Sequence, residues 1–179
     1  DSDGNIVTVV SDTSNVNINL IGTYTVTYNA PHPPPYTAIQ RTRTVNVVDT
    51  QRPIITLVGD ETVTFVVNTS GGYVDAGATA TDNYYGDITS EIVTASDVIT
   101  TALGSYTVTY NLTDDSGNKA YEVTRTVNVV DTAPTITITG DSIVHVNLGD
   151  TYVESGATAT DKLDGTLTVT TYSGDVDTN

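Results

Sequence analysis

The same segments occur more than once along this chain, and in the same order. The stretch Ser105–Thr132, SYTVTYNLTDDSGNKAYEVTRTVNVVDT, has an earlier counterpart, because TYTVTYN begins at Thr23 and TVNVVDT at Thr44. Tyr24 to Tyr106 is a step of 82 positions, and so is Val45 to Val127. Residues 53–60, PIITLVGD, return as PTITITGD at 134–141, and GATATD at 77–82 returns unchanged at 156–161, a step of 79. Internal repetition decides the architecture before chain length does. One complete unit runs over 51–131, preceded by the second half of a unit (1–50) and followed by the first half of another (132–179). The two ends cannot simply be spliced into one unit, because Asp3-Gly4-Asn5-Ile6 matches Asp164-Gly165-Thr166-Leu167. The chain is therefore expected to be a segment of a longer array, its flanking units completed by chain or subunits outside it.

Within the repeat, Tyr106, Val108 and Tyr110 alternate with Thr107 and Thr109, and Val127 and Val129 alternate with Thr126 and Asn128. A period of two marks half-buried strands, and Asp114–Asn118 reads as the turn of an antiparallel hairpin. Further strands are predicted over 54–58, 62–67 and 73–81, with Val74, Ala76, Ala78 and Ala80 on one face. Shorter ones are predicted over 88–94 and 98–101. No window has a helical period, so the class is all-β, and about seven short strands per unit suit a two-sheet sandwich. In Gly104-Ser105-Tyr106-Thr107-Val108 and again in Gly22-Thr23-Tyr24-Thr25-Val26, a tyrosine lies two residues before an inward position. That is the spacing of a tyrosine corner.

The elements PxITLxGD, DAGATATDxxxGDIT, LGSYTVTYNLTDDSGN and VTRTVNVVD resemble the bacterial and archaeal Ig-like repeats first named from a pesticidal crystal protein. They are also similar to the related hyalin-type repeats. The resemblance spans essentially the whole chain. It implies tandem immunoglobulin-like β-sandwiches in an extracellular or cell-surface setting, where such repeats serve adhesins, S-layer proteins, secreted enzymes and toxins as spacers or stalks.

Charge gives the next constraint. The chain has 22 acidic and 6 basic residues, a formal charge of −16, and no Cys, Trp or Met. A unit of this size buries only about 60–65% of its unfolded surface. Small extracellular domains add a staple; without cysteine it cannot be a disulfide, which leaves a metal. In an Ig-like unit the loops after the strand predicted over 73–81 and after the Tyr106 strand share one end with the preceding linker. That end would gather Asp49, Asp82, Asp87, Asp114 and Asp115, with Asn83 or Asn118 beside them. The next junction would gather Asp131, Asp161 and Asp164. Hard oxygen ligands in loops select calcium, and only His32 and His145 are available for a softer site. Turn chemistry alone also places Asp, Asn and Gly in such loops; the recurrence of TATD and VVDT favours an ion.

Other features are local. Asn68 and Asn111 match the N-glycosylation pattern. Where the complete unit has Thr113–Lys119, TDDSGNK, the first half-unit has PHPPPYT at 31–37. Its Pro33, Pro34, Pro35 and Tyr36 form either a stiff loop tip or a rigid docking edge for a partner. The acidity excludes nucleic acid as a partner, and no apolar run in this segment reaches membrane-spanning length. No serine or cysteine has a recognisable histidine partner, and neither a phosphate loop nor a zincin motif is present, so no enzymatic activity is expected. The first expectation is a structural repeat of a stalk, filament or surface layer, in contact with neighbouring repeats or subunits and able to exchange strands at its exposed edges. The alternative is an adhesin module binding glycan or protein at its loop tips, where Tyr36 and Tyr84-Tyr85 are the candidate aromatics.

Overall fold

The alternation of apolar residues with threonine is realised as strands whose inward positions form the core. A computed structural model of the chain describes residues 8–31 and 38–172. The central unit holds two sheets. In the first, β4 (Ile54–Leu57), β6 (Ala78–Asp82) and β7 (Gly86–Asp87) lie in that order; in the second the order is β5 (Thr62–Val66), β10 (Val123–Val130), β9 (Gly104–Asn111) and β8 (Val93–Ser96). Before it, β1 (Val10–Asp12), β2 (Gly22–Asn29) and β3 (Arg41–Val47) make one antiparallel sheet; after it, β11 (Thr135–Ile138), β12 (Ala157–Asp161) and β13 (Gly165–Leu167) make another. No ladder among the described residues joins strands of different groups. The fold is all-β, with a single 3-10 turn at Thr89–Glu91 among the described residues.

The core lies between the two central sheets. Val67, Val108, Tyr110 and Val127 are almost wholly buried, and Ile55, Ala80, Ile88, Leu112, Ala120 and Val129 complete the cluster. The first strand changes sheet. β4 pairs antiparallel with β6, whereas β5 pairs parallel with β10 from Thr62↔Thr126 to Val66↔Val130. Gly59, at φ 80°, makes the corner between them in a conformation that a side chain would strain. Both tyrosine corners are present: the Tyr106 hydroxyl donates to the Ala102 carbonyl at 3.1 Å and Tyr24 to that of Leu20 at 2.8 Å.

A charged group sits inside the sandwich. Along β10 the inward positions are Val123, Arg125, Val127 and Val129, and Arg125 is 1% exposed. Its Nε donates to the Asp60 carbonyl at 2.9 Å, Nη2 to the carbonyls of Val58 and Gly77, and Nη1 to the Tyr110 hydroxyl at 3.0 Å and to Asp75 Oδ1. Asp75 also accepts from Tyr73 at 2.9 Å, from the Tyr110 hydroxyl, and from the Gly77 N–H at 2.8 Å. Burial alone would raise the Asp75 pKa, but the bonds from Tyr110, Arg125 and Tyr73 outweigh it and hold the carboxyl below its usual range.

This network corrects the strand predicted over 73–81. Only Ala78–Asp82 is strand; Tyr73–Gly77 is irregular because Asp75 turns inward and Gly77 takes φ 80°. Val74 and Ala76 are exposed rather than sharing the face of Ala78 and Ala80. Residues 88–94 divide between the 3-10 turn and β8, and 98–101 form no strand, because Asp97 caps the edge by accepting the Thr107 N–H at 2.6 Å.

Asp75→Asn is expected to destabilise the unit by about 3–5 kcal/mol, since it leaves Arg125 buried without a counter-charge; urea unfolding measures this. A carboxyl with a depressed folded pKa adds stability above its unfolded pKa, about 3.9, and loses it as pH falls through the folded value. The fall in wild-type stability below about pH 4 should therefore be shallower in Asp75→Asn. Tyr106→Phe, which removes only the corner hydrogen bond, should cost about 0.5–1.5 kcal/mol.

Candidate metal centre

Three aspartates from separate segments meet at the end of the central unit where the preceding chain enters. Asp82 closes β6, its Oδ1 accepting the N–H groups of Tyr84 at 2.8 Å and Tyr85 at 3.1 Å, so the chain turns back through Gly86 into β7. Asp114 opens the loop after β9; its Oδ1 accepts the Asn118 N–H at 2.8 Å and its Oδ2 the Asn118 amide at 3.0 Å. Asp49 follows β3, with Oδ1 on the Gln51 N–H at 3.0 Å, and both its Oδ2 and its carbonyl lie 3.4 Å from the Asn118 amide. One carboxylate oxygen from each of Asp49, Asp82 and Asp114 lies within 4.8 Å of the other two.

The electrostatics of this trio are uncompensated. Asp82 and Asp114 are 9% and 5% exposed, and Asp82 Oδ2 is buried with no hydrogen-bond partner. At an effective dielectric of 20, each pair at this spacing repels by about 3–4 kcal/mol. The ion pair among the described residues is Arg125–Asp75, in the core. Arg52, close in sequence to Asp49, spends its guanidinium on the Lys119 carbonyl at 2.6 Å and on the face of the Tyr121 ring. The donor set is all oxygen, and two oxygens on opposite sides of one Ca2+ would stand about 4.6–5.2 Å apart. The trio fits such an ion.

Residues 55–129 match the family model described as "Bacterial surface protein, Ig-like domain". This segment is a bacterial surface Ig-like domain. A relative, an uncharacterised 81.3 kDa protein of Acholeplasma phage L2, is 30% identical over 131 residues, 72% of this chain. The chain spans 18% of that relative's length. Among solved structures, CBM51-2 in complex with GlcNAc and INT domains from Clostridium perfringens ZmpB is 30% identical over 51% of this chain and 21% of its own, with a TM-score of 0.36. The lipoprotein BT2262 from Bacteroides thetaiotaomicron is 21% identical over 63% of this chain and 57% of its own, with a TM-score of 0.37.

A second cluster follows the surface Ig-like domain. Asp131, Asp161 and Asp164 also bring oxygens within 4.8 Å of one another, on a more exposed surface. Asp161 repeats the turn of Asp82, its Oδ1 accepting the N–H groups of Leu163 at 2.7 Å and Asp164 at 3.0 Å. Of the other acids predicted for these junctions, Asp87 and Asp115 stand outside both clusters. Asp87 Oδ1 caps the 3-10 turn at the Thr89 N–H, 3.0 Å away, and the Thr89 hydroxyl, followed by that N–H, depresses its pKa; Asp115 is exposed.

The remaining candidates lie elsewhere. Asn68, at φ 54°, donates its amide to the Lys162 carbonyl at 2.7 Å, and Asn111 donates to Glu122 at 2.8 Å. Neither amide is free while those contacts hold. Pro33, Pro34, Pro35 and Tyr36 lie outside the described residues. Tyr84 and Tyr85 pack edge to face with centroids 5.0 Å apart; the Tyr84 hydroxyl accepts the Ile21 N–H at 3.4 Å and that of Tyr85 bonds Ser116 at 2.8 Å. Tyr85 is thus engaged within the domain, whereas Tyr84 reaches the preceding half-unit and stays exposed. The pattern reading passed over Arg125 and Asp75, although the alternation of β10 already placed an arginine on the inward face.

The Asn118 amide donates to both Asp49 and Asp114 and is a neutral bridge between the two carboxylates. In the presence of chelator, Asn118→Ala should lower stability by about 1–3 kcal/mol, read by urea unfolding.

Proposed function

We propose that this chain is a structural array of surface Ig-like units whose junctions are stiffened by calcium held in the acidic clusters. The observation that carries the reading is the Asp82 Oδ2 atom, buried and unpartnered within a trio of carboxylates that no cationic side chain among the described residues pairs with. A divalent cation there would accept that oxygen, relieve the repulsion among Asp49, Asp82 and Asp114, and take the Asp49 carbonyl and water to fill a hard-oxygen shell. Asp49 belongs to the segment between β3 and β4, whereas Asp82 and Asp114 belong to loops of the domain itself. One ion would thus tie the connecting chain to the domain and remove bending freedom that a short linker otherwise keeps.

The repetition of the arrangement at Asp131, Asp161 and Asp164 supports a shared structural task rather than a single catalytic centre. Description of the family by bacterial surface proteins agrees with a stalk or spacer outside the cell, and no helix among the described residues is long and apolar enough to cross a membrane. The contacts of Tyr84 with the Tyr85 ring and with the Ile21 N–H of the preceding half-unit, and of the Tyr85 hydroxyl with Ser116, weigh against those rings as a glycan platform.

Calcium at about 100 times its dissociation constant should stabilise the domain by about 2.7 kcal/mol, which for a unit of this size raises the melting midpoint by about 10–20 °C. Asp82→Asn should abolish that rise and, in chelator, melt no lower than wild type, because it removes one of three mutually repelling charges. Calorimetric midpoints unmoved by either calcium or chelator would sink the reading.

A further inference from the structure

The turn that closes β12 meets the preceding domain at a second place, apart from the acidic cluster. Asp161 and Asp164 join Asp131, but Lys162, between them in sequence, reaches a different loop. Its carbonyl accepts the Asn68 side-chain amide at 2.7 Å, and its Nζ donates to Thr69 Oγ1 at 3.2 Å. Lys162 shares its turn with two carboxylates, yet among the described residues it makes no ion pair. Its charge is directed onto the neighbouring loop instead.

That loop is held in an unusual conformation by its own bonds. Asn68 is the one non-glycine residue at positive φ among the described residues, at 54°. A left-handed residue other than glycine persists where its surroundings fix it. The Asn68 N–H donates to the Thr100 carbonyl at 3.0 Å, and the Thr69 N–H and hydroxyl both donate to the Val66 carbonyl, at 3.3 and 2.7 Å. With its hydrogen so placed, the Thr69 hydroxyl keeps its lone pairs for the Lys162 ammonium. The bond to Thr100 also sets the loop beside the tyrosine corner that Tyr106 makes with Ala102. The earlier junction has the same arrangement. The Tyr84 hydroxyl, in the turn after Asp82, accepts the Ile21 N–H at 3.4 Å, and Ile21 adjoins Leu20, the acceptor of the Tyr24 corner. At both junctions the turn after the TATD strand touches the tyrosine-corner end of the unit before it.

We infer that Asn68 and Thr69 form the docking site for the Lys162 turn of the following unit, a metal-independent strap that fixes the angle between successive units. Two exposed hydrogen bonds would not hold separate molecules together. Here only residues 131–134 separate β10 from β11. The contact is therefore intramolecular, and at the resulting effective concentration modest bonds suffice to select one orientation. The Asp131 cluster pins the turn to the connecting chain, whereas the strap pins it to the body of the domain. Two separated points of attachment remove a rotation that one leaves free. The inference rests on these bonds and not on the calcium reading.

The test uses the 179-residue chain in chelator, so the calcium reading can hold or fail without deciding it. The chain has no cysteine, so spin labels attach only where Thr94→Cys and Thr137→Cys place them, on exposed positions of β8 and β11. Pulsed electron double resonance between the labels should give a single narrow distance for the otherwise wild-type chain. Asn68→Gly keeps the left-handed backbone and removes only the amide. It should lose the narrow distance to a broad distribution while melting no lower than the parent. Lys162→Met keeps the apolar stem and the backbone carbonyl but not the ammonium, and it leaves the central domain untouched. It should broaden the distances as well. A parent chain whose distances are broad in chelator overturns the inference, even if added calcium then narrows them. So does either variant that keeps the narrow distance.

Discussion

One guanidinium holds the two sheets of the central domain in register. Taking Arg125 out of water costs several kcal/mol, and its environment offsets that only because nearly every N–H finds an acceptor. Those acceptors come from the sheet-switching corner at Val58 and Asp60, from the start of β6 at Gly77, from the Asp75 loop and from Tyr110 on β9. The network thereby dictates local structure that propensity would not: it takes Tyr73–Gly77 out of the sheet and sets Gly77 at positive φ. It also opposes register errors. A slip of one residue along β10 would turn Arg125 outward and bring a threonine into the core.

The acidic trio is the converse case. In the core, a carboxylate is matched by an arginine and two tyrosine hydroxyls; at the domain's end, three carboxylates meet with backbone N–H groups and one asparagine amide between them. Each aspartate is placed by its own turn, so their convergence does not depend on mutual attraction. The loops are built by local hydrogen bonds strong enough to hold like charges together, and an excess of negative potential is left over at that end.

The fold was largely legible in the residues, and the reasons are particular. Alternation along 104–111 and 123–130 located β9 and β10, and the Gly-x-Tyr-x-Val spacing located both tyrosine corners. Repetition of TATD and VVDT pointed to the segments that bring Asp49, Asp82, Asp131 and Asp161 to the two junctions. What pattern did not reveal depends on contacts remote in sequence. Asp75 sits in an apparently alternating run, and its inward turn is decided by Arg125, fifty positions away. Asp87 and Asp115 have the same turn-forming character as Asp82 and Asp114, yet one caps a 3-10 turn and the other faces solvent. Local propensity describes a turn but not the direction in which its carboxylate points.

The change of sheet between β4 and β5 has a mechanical corollary. It sets the domain's opening strand parallel to its closing strand, β10, over five residue pairs. The chain therefore enters at one end of this ladder and leaves at the other. Tension transmitted along the polypeptide drags β5 and β10 past each other lengthwise, and the evenly spaced, slanted bonds of a parallel ladder share that shear. An antiparallel hairpin pulled from its two open ends would instead peel apart one bond at a time. Resistance to stretching thus follows from the crossing at a single glycine.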